Sequence, residues 1–388
     1  MSNLDTIIDF GSKNLRLGVF NQSSEIIYSS NIKINEVLKN ENLDKALTKL
    51  VRDAEKQLST HLVDVNILYD SSEFNFIDFS IKKSFDQPTL ISKHFKSVVE
   101  EANFIISENN FRDQVIHVNI NNIIVDDNEK LETIFDDKKV KSFILEIKFI
   151  CLKKSLINYL SNIFKKNNLN ILCIYCSSYV KSFFYKKNID TRNNFIFLDI
   201  GYERTSALFF NNDKFQFLSS VPIGGNNITK DISKILKLDI NYSEDLKTKF
   251  NKNENEISFN KISTNDINLY SEITEKNISI ELLKQIIQAR VDEIIDISVT
   301  RNNYFKNINS SERPKIIFIG SGSKLISFFN KANLKKTFSE LIFFDESDSK
   351  ICEAGINYHK SDERLLINIK KKPKKTGIFE KFFNLFSR

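Results

Sequence analysis

Two segments 190 residues apart share one pattern of apolar runs and turns, and this limits the chain to folds built from a duplicated unit. The first is the run LDTIIDF, which contains Asp9 and leads through Gly11 into LRLGVF and then EIIYSSNIKI. The second runs from NNFIFLDIG to KFQFLSSV, and its Asp199 and Gly201 match Asp9 and Gly11. Each segment predicts a hairpin with a third extended neighbour. The repeat predicts a duplicated α/β fold with two lobes.

The chain has only nine glycines among 388 residues, in a composition rich in Lys, Asn, Ile and Phe. Glycines that remain in such a sequence are expected where a Cβ would clash, where φ is positive, or close to a ligand. Seven of them mark four places at predicted turns and helix starts, the eighth opens a late helical segment, and the ninth precedes the last segment. In chain order they are Gly11, Gly18, Gly201, Gly224, Gly225, Gly320, Gly322, Gly355 and Gly377.

The two Asp-x-Gly turns predict a phosphate clamp with one jaw in each lobe. Backbone N–H groups at such turns bind phosphate oxygens, and carboxylates can position a cation and its waters. A single Asp-x-Gly is common in ordinary turns, whereas two at matching positions are more specific. We expect the nucleotide to contact both turns through Asp9, Gly11, Ser12, Lys13, Asp199, Gly201 and Thr205.

Two further glycine pairs complete the predicted site. VPIGGNNITKDI places Gly224 and Gly225 before an amphipathic run, so that a helix N-terminus near Asn226 approaches the ligand. KIIFIGSGSKLISFF predicts a buried strand, a tight turn at Gly320 and Gly322, and a helix; there an adenine and ribose can lie on the backbone. Taken alone, the last motif is equally an ordinary turn between a strand and a helix.

Cysteine and histidine usage gives no sign of a metal or redox centre. Cys173 and Cys176 lie in the apolar run ILCIYC, which predicts a buried strand, and no second pair or neighbouring His completes a zinc site. No N-terminal stretch resembles a signal peptide, and no segment has the roughly twenty apolar residues that span a bilayer. The body of the protein is therefore expected to be cytoplasmic.

The net charge of +6 is concentrated in the last nineteen residues. Seven basic residues there face only Glu380, and the first 369 residues carry 49 basic and 49 acidic side chains. A neutral body with a basic tail favours contact with an anionic surface and argues against nucleic acid as a partner.

The last segment predicts an amphipathic helix that lies on a membrane. At about 100° per residue its apolar side chains share one face, and they include Ile378, Phe379, Phe382, Phe383 and Phe386. Lys381 lies on the other face, and a run of lysines precedes the helix. This pattern is typical of in-plane membrane helices. The alternative is a terminal helix that docks on its own domain.

These motifs, in this order, resemble those of the actin-like ATPase superfamily, and within it the chain resembles FtsA, the bacterial cell-division actin homologue. DFGSKN resembles the first phosphate motif, VIHVNINNIIVDD the entry to the additional FtsA subdomain, and VPIGGNNITKDI a helix start of the family. Lys247 falls where the family has a Glu-x-x-Lys segment near the adenosine. The basic linker and amphipathic helix favour FtsA among its relatives.

The resemblance implies a division of the chain into six parts. Residues 1–80 and 162–195 would form the first actin-like core lobe, with the FtsA-type subdomain at 81–161. Residues 196–240 and 307–358 would form the second lobe, with a helical subdomain at 241–306. Residues 359–376 would be a basic linker and residues 377–388 the membrane-targeting helix.

The resemblance also implies a function. FtsA-like proteins bind ATP with Mg²⁺, with Asp9 and Asp199 as the expected metal residues here, and assemble into filaments. They bind the C-terminal tail of FtsZ and downstream division proteins at the septum, on the cytoplasmic side of the inner membrane. The alternatives are a pilus-assembly adaptor of the same fold and an ATP-dependent chaperone or phosphotransferase.

The second phosphate motif departs from the family pattern. Tyr202 and Glu203 stand where the family has glycines, and Ser206 replaces an acidic group. The two side chains would crowd the γ-phosphate, and the missing acid would have helped to organise the cation and the attacking water. We therefore expect nucleotide binding with slow hydrolysis or none.

Overall fold

The structure is a computed structural model that describes residues 4–34, 40–110, 112–126, 129–131, 139–253, 280–307, 313–328 and 332–361. Its contacts divide the chain into two compact units. The first unit comprises residues 1–74 and 155–357, and the second comprises residues 75–154 and 358–388. The predicted membrane helix and most of the basic linker lie outside the described residues. The finer division into subdomains stays a prediction.

Strands follow the two repeated segments and the region between them. They are β1 (Asp5–Phe10), β2 (Asn14–Phe20), β3 (Ile26–Lys33), β4 (Asp64–Tyr69), β5 (Phe74–Leu90), β6 (Asp113–Val125), β7 (Glu129–Leu131), β8 (Lys139–Lys153), β9 (Asn170–Cys176), β10 (Phe195–Ile200), β11 (Thr205–Asn211), β12 (Lys214–Val221), β13 (Lys315–Ile319) and β14 (Leu341–Phe343).

Helices connect these strands. They are α1 (Asn40–Leu58), α2 (Ile91–Asn109), α3 (Lys154–Lys166), α4 (Ser177–Lys186), α5 (Gly225–Leu236), α6 (Ile240–Asn253), α7 (Ile280–Ile295), α8 (Asn303–Asn307), α9 (Ala332–Thr337) and α10 (Asp348–His359). A π-helical turn occupies Asp296–Thr300, and a 3₁₀ helix occupies Ser321–Phe328. Within the described ranges, no helix combines the length and apolar character needed to span a bilayer.

The first unit contains two five-stranded sheets with the same topology. One has the order β3-β2-β1-β4-β9 and the other β12-β11-β10-β13-β14. In both, the first three strands of the repeat are antiparallel and the next two run parallel to the first. We call the part built on the first sheet the first lobe and the part built on the second sheet the second lobe. The predicted duplicated two-lobe fold is confirmed.

The register of the two hairpins is identical. Asp9 faces Arg16 across β1 and β2, and Asp199 faces Ser206 across β10 and β11, each residue shifted by 190 positions. The third strand of each repeat pairs through an irregularity at the same place, after Val19 in the first lobe and after Phe209 in the second. The sequence repeat therefore predicts the sheets residue by residue.

Helix α1 covers the first sheet with one apolar face. Its buried side chains recur at intervals of three and four residues, the period of a helix, and are Leu43, Leu47, Leu50, Val51 and Ala54. Because β1 and β2 are buried almost throughout, their sheet forms the centre of the lobe.

Helix α7 has the same role in the second lobe. Its Leu283, Ile287 and Ile294 pack in the core with strand residues of the second sheet. The sequence predicts one helix over 279–305, but α7 ends at Ile295 and the π-helical turn follows. The Arg301 N–H donates to the Asp296 carbonyl, five residues back, at 2.8 Å, and the wider turn keeps Val299 buried.

The run ILCIYC forms the predicted strand β9, but only its last three residues are buried, and Cys173 is partly exposed. All four cysteines of the chain are free, and Cys151, Cys176 and Cys352 are buried. Burial raises the pKa of the Cys151 thiol to about 12, with a smaller contribution from the nearby charge of Asp113. These thiols therefore pack in the protein interior as neutral groups.

The second unit contains a four-stranded sheet with the order β5-β8-β6-β7. Helix α2 packs on this sheet through Phe95, Val99 and Ala102, which share a core with Phe143 and Phe149 of β8. His117 of β6 is buried and its Nδ1 lies 2.9 Å from the Tyr358 hydroxyl. Burial lowers the His117 pKa to about 3, so this histidine is neutral and structural.

Candidate functional site

The two hairpin turns are closed by the same backbone hydrogen bond. The Gly11 N–H donates to the Asn14 carbonyl at 3.1 Å, and the Gly201 N–H donates to the Arg204 carbonyl at 2.9 Å. One residue further on, neither the Ser12 N–H nor the Tyr202 N–H donates to an acceptor in the parts of the chain that the structure describes. The duplication thus presents one available backbone donor at the same point of each turn.

Asp9 is bound within its own lobe. Its carboxylate accepts a hydrogen bond from Arg16 Nη1 at 2.7 Å and another from the Ser177 hydroxyl at 3.1 Å. Arg16 also forms an ion pair with Asp348, at the start of α10. Burial lowers the pKa of this guanidinium, but the charges of Asp9 and Asp348 outweigh it and raise the pKa above its usual value. Arg16 is therefore a permanent counter-charge for both carboxylates.

Asp199 receives its counter-charge from the other lobe. Lys181 of α4 places its Nζ 2.5 Å from the Asp199 carboxylate and 3.4 Å from Glu346. All three side chains are buried. Burial lowers the Lys181 pKa, but Asp199 and Glu346 raise it by more, so that it ends above its usual value. The Lys181 ammonium is therefore charged and connects the two lobes.

Asp70 adds a third buried carboxylate beside this group. It accepts hydrogen bonds from the Ser178 N–H at 3.2 Å and from the Ser178 hydroxyl at 2.8 Å. Burial and the neighbouring charge of Asp199 raise the Asp70 pKa to about 6. Arg204, from the second turn, donates to the Asp70 carbonyl and so joins the second lobe to the end of β4.

These groups line a cavity of about 440 Å³ within the first unit, a size typical of small-molecule sites. Its wall combines charged side chains with the apolar and aromatic side chains of Leu43, Tyr69, Leu156 and Tyr159. Of the predicted nucleotide-binding residues, the cavity wall contains Asp9, Gly11, Ser12, Lys13, Asp199, Gly201 and Gly320. The remainder, Thr205, Gly224, Gly225, Asn226, Lys247 and Gly322, are not among its lining residues.

Gly224 and Gly225 contact the second turn, which differs from the predicted approach of a helix N-terminus to the ligand. The Gly225 N–H donates to the Gly201 carbonyl at 2.9 Å, and the Asn226 N–H donates to the Tyr202 carbonyl at 2.7 Å. The first donors of α5 are therefore satisfied within the protein. A Cβ on Gly224 would lie 2.6 Å from the Tyr202 carbonyl oxygen, so this glycine permits close packing of two backbone segments.

The side chains that the sequence analysis expects to crowd the γ-phosphate are held in place by neighbours. The Glu203 carboxylate accepts a hydrogen bond from the Asn226 amide at 2.9 Å. The Tyr202 ring has Lys13 Nζ 4.5 Å from its centre and Lys247 Nζ at 5.6 Å, within the range of cation–π attraction. Tyr202 reaches the cavity wall, whereas Glu203 is not among the lining residues.

Lys247 and Thr205 are bound inside the second lobe. The Lys247 ammonium donates to the Gly225 carbonyl at 2.9 Å, to Thr229 at 2.7 Å and to Glu244 at 2.7 Å. Burial lowers the Lys247 pKa, although Glu244 opposes this shift. The Thr205 hydroxyl donates to the Ile223 carbonyl at 2.7 Å. Both side chains therefore fix the geometry around α5.

Gly320 is the one described glycine with a left-handed backbone, at φ +84°. A Cβ there would lie 2.4 Å from Asp199 Oδ1, and its N–H donates to Glu346 at 2.8 Å. After Gly320 the predicted helix is a 3₁₀ helix, in which Gly322 packs against Ile200. Glycine is required at both positions because the chain passes directly over the end of β10.

The sequence reasoning missed the charged partners of the two aspartates. Arg16 was within reach, because cross-strand register follows from the repeat. Lys181 and Glu346 lie outside any motif, and only the fold brings them to Asp199. Asp70 and Ser177 directly follow the parallel strands β4 and β9. Ligand sites lie at the carboxyl ends of parallel strands, and this position could have indicated both residues from the sequence.

Mg²⁺ does not fit the two aspartates as they stand. A divalent cation would need carboxylate oxygens that face the cavity, and both carboxylates are already paired with buried cations. Across the described residues, no group of three or more His, Cys, Asp or Glu side chains is arranged to hold a metal ion. A polyphosphate fits better, because the Ser12 and Tyr202 N–H groups have no acceptor among the described residues and can donate to it.

The repeated sheet topology and the cavity between the duplicated turns define a protein with the actin-like ATPase fold. Solved structures with this likeness include the PilM–PilN type IV pilus biogenesis complex, at 13% identity and a TM-score of 0.54 over 90% of each chain. MreB5 of Spiroplasma citri bound to ADP matches at 10% identity and a TM-score of 0.47, over 94% of this chain and 99% of that one.

Residues 196–357, which contain the second lobe, match the model of the family described as cell division protein FtsA. The predicted resemblance to FtsA is confirmed over this segment. Among curated proteins, no sequence matches the chain. The chain therefore has an actin-like fold, and its residues 196–357 resemble FtsA.

Proposed function

We propose that this protein is an FtsA-type membrane adaptor of bacterial cell division. It binds ATP between its lobes, assembles into filaments, and tethers FtsZ to the cytoplasmic face of the inner membrane at the septum. The FtsA family match over residues 196–357 is the observation that carries the proposal. Downstream division proteins would join the same filament.

The backbone donors of the two turns support nucleotide binding in the cleft. The Ser12 and Tyr202 N–H groups lie at equivalent points of the two turns, so that both lobes can donate to one phosphate chain. Lys13 and Lys181 add positive charge on the same wall. The base and ribose would contact apolar and aromatic side chains of the wall, which include Leu156 and Tyr159. A bound nucleotide would connect the two lobes, and the residues around it would fix the position of one lobe relative to the other.

The last segment of the sequence supports the membrane role. Ile378, Phe379, Phe382, Phe383 and Phe386 would insert into the lipid interface, and Lys381 with the preceding lysines would contact anionic headgroups. Each basic residue near an anionic membrane contributes about 1 kcal/mol. A single short helix binds reversibly, so firm attachment needs several copies held in one filament.

Removal of the last thirteen residues is expected to abolish membrane binding. The test is co-sedimentation with liposomes that contain anionic lipid, in the presence of ATP, for the full chain and for a chain that ends at Lys375. The double substitution Phe382→Asp/Phe386→Asp should have the same effect, because it places charge on the apolar face. Asn384→Asp adds a charge to the polar face of the same helix and should retain most of the binding. Equal sedimentation of the full and shortened chains would refute the adaptor mechanism.

The structural likeness to the PilM–PilN complex keeps a pilus-assembly adaptor as the second candidate. The two functions differ in the partner peptide. Binding of a peptide from the FtsZ C-terminal tail, measured by fluorescence anisotropy, favours the division adaptor. Binding of a pilus-type partner segment with no affinity for the FtsZ peptide favours the alternative.

ATP hydrolysis is expected to be slow, below about 0.01 per second. This is the range of intrinsic hydrolysis by small GTPases that lack their activating protein. The four carboxylates on the cavity wall, Asp9, Asp70, Asp199 and Glu346, already accept hydrogen bonds or ion pairs from neighbouring groups. We therefore expect none of them to work as an efficient general base for an attacking water. Release of inorganic phosphate, followed with excess ATP and Mg²⁺, measures this rate. Rapid, Mg²⁺-dependent turnover would show that the second turn is catalytically competent.

A further inference from the structure

The second lobe lacks the counter-ion that the first lobe supplies to its own aspartate. Arg16 faces Asp9 across the first hairpin, and the equivalent residue of the second hairpin is Ser206, which faces Asp199. Ser206 is buried, carries no charge, and has its hydroxyl 3.1 Å from that of Ser220. The duplicated fold therefore leaves Asp199 without a cationic partner on its own sheet.

Lys181, which belongs to the first lobe, supplies this missing cation to Asp199. Its Nζ is 2.5 Å from Asp199 and 3.4 Å from Glu346, and its side chain is only 8% exposed. It stands on the wall of the cavity, beside the second turn. A buried ammonium between two carboxylates stays charged, since loss of its proton would leave both acids uncompensated.

A divalent cation would compete for the same carboxylate oxygens. Mg²⁺ requires near-octahedral oxygen ligands at short distance and usually keeps several of its waters. Lys181 already holds the Asp199 carboxylate, and Arg16 holds that of Asp9. One role of a cation beside a polyphosphate is to neutralise charge and to bridge phosphate and carboxylate. The Lys181 ammonium neutralises carboxylate charge that would otherwise repel the phosphates, and it does so without coordination geometry.

We propose that Lys181 serves as a resident cation in place of Mg²⁺, so that the cleft binds a nucleoside di- or triphosphate with an affinity independent of divalent metal. This inference rests on the proposed nucleotide-binding function and specifies how the carboxylates beside the ligand are neutralised. Lys181 comes from the first lobe and its carboxylate partners from the second. The resident cation therefore acts at the junction that the phosphates would also bridge.

The test measures binding of a fluorescent N-methylanthraniloyl derivative of ADP to the full chain, in Mg²⁺ and in EDTA. The expected dissociation constants agree within about threefold, a difference of less than 1 kcal/mol. Binding in Mg²⁺ that disappears in EDTA would overturn the inference and leave the nucleotide function intact. Absence of binding under both conditions would overturn the nucleotide function itself.

A substitution at Lys181 sharpens the test. Lys181→Gln should weaken binding in EDTA by about tenfold or more, and Mg²⁺ should restore part of it because Asp199 becomes available as a ligand. Lys187→Gln, an exposed position directly after α4, is the matched control and should bind like the unmodified protein. Equal binding by Lys181→Gln and Lys187→Gln in EDTA would contradict the proposed role.

Two further measurements hold even if Lys181→Gln does not fold. Lys181→Arg keeps the charge and should keep binding in EDTA. Titration of Mn²⁺ into the nucleotide-free full chain, followed by electron paramagnetic resonance, should reveal no tight stoichiometric site. A tight site lost on Asp199→Asn would show that the carboxylate is a metal ligand and would overturn the inference.

Discussion

Gly224→Ala is expected to destabilise the first unit by about 3 kcal/mol, at the upper end of the usual cost of overpacking. The new Cβ would lie 2.6 Å from the Tyr202 carbonyl oxygen, 2.7 Å from that of Gly201 and 2.8 Å from the Arg204 nitrogen. All three are backbone atoms of the second turn, which cannot rotate away as a side chain can. The turn must therefore shift, and the Tyr202 N–H moves with it.

The neighbouring residue provides the control. In Gly225→Ala the nearest atoms to the new Cβ are 3.6 Å away, an ordinary contact, and alanine favours a helix over glycine by up to about 1 kcal/mol. Scanning calorimetry of both variants should show a lower unfolding temperature for Gly224→Ala alone. Fluorescent ADP should bind more weakly to that variant as well. Equal unfolding temperatures would mean that the turn is softer than its backbone contacts indicate.

Arg16→Gln is expected to cost about 3 to 5 kcal/mol, the usual effect of removing one partner from a buried ion pair. It leaves the buried carboxylate of Asp9 with a hydrogen bond from the Ser177 hydroxyl and removes the ion pair to Asp348. The expected result is a large fall in the unfolding temperature of the first unit. Nucleotide affinity should also fall, because uncompensated negative charge then faces the phosphates.

A double-mutant cycle separates this charge effect from packing. Asp9→Asn/Arg16→Gln should recover much of the loss, since the neutral amide needs no counter-ion, and the coupling between the two sites should be favourable. Arg192→Gln, which removes an exposed pair with Asp190, should leave the unfolding temperature unchanged. If the double substitution is no more stable than Arg16→Gln alone, the Asp9–Arg16 charge pairing is not the reason for the loss.

The local parts of the fold and site follow from the sequence. The match of Asp9 and Gly11 with Asp199 and Gly201 predicts both hairpins in their correct register, because strand alternation and turn chemistry act over a few residues. The glycines after each strand place both turns on the cavity. The apolar spacing of α7 predicts its buried face, although the π-helical turn that follows it has no signature in that spacing.

The contacts that sequence reasoning missed join residues far apart in the chain. Lys181 carries the charge that Asp199 needs, yet nothing in the local pattern of α4 distinguishes it from other lysines. Gly224 is explained by backbone packing against the second turn, whereas its motif predicted contact with a ligand. In both examples, two segments that are each ordinary acquire a specific role only when the fold brings them together.

Two polar contacts join the lobes of the first unit. Helix α4, which follows β9, supplies Lys181 to Asp199, and Arg204 of the second turn donates to the Asp70 carbonyl at the end of β4. Separation of the lobes would break both contacts and leave Asp199 without its counter-charge. The cleft therefore resists opening as a cooperative event, and the dwell time of any molecule held between the lobes depends on how often both contacts break together.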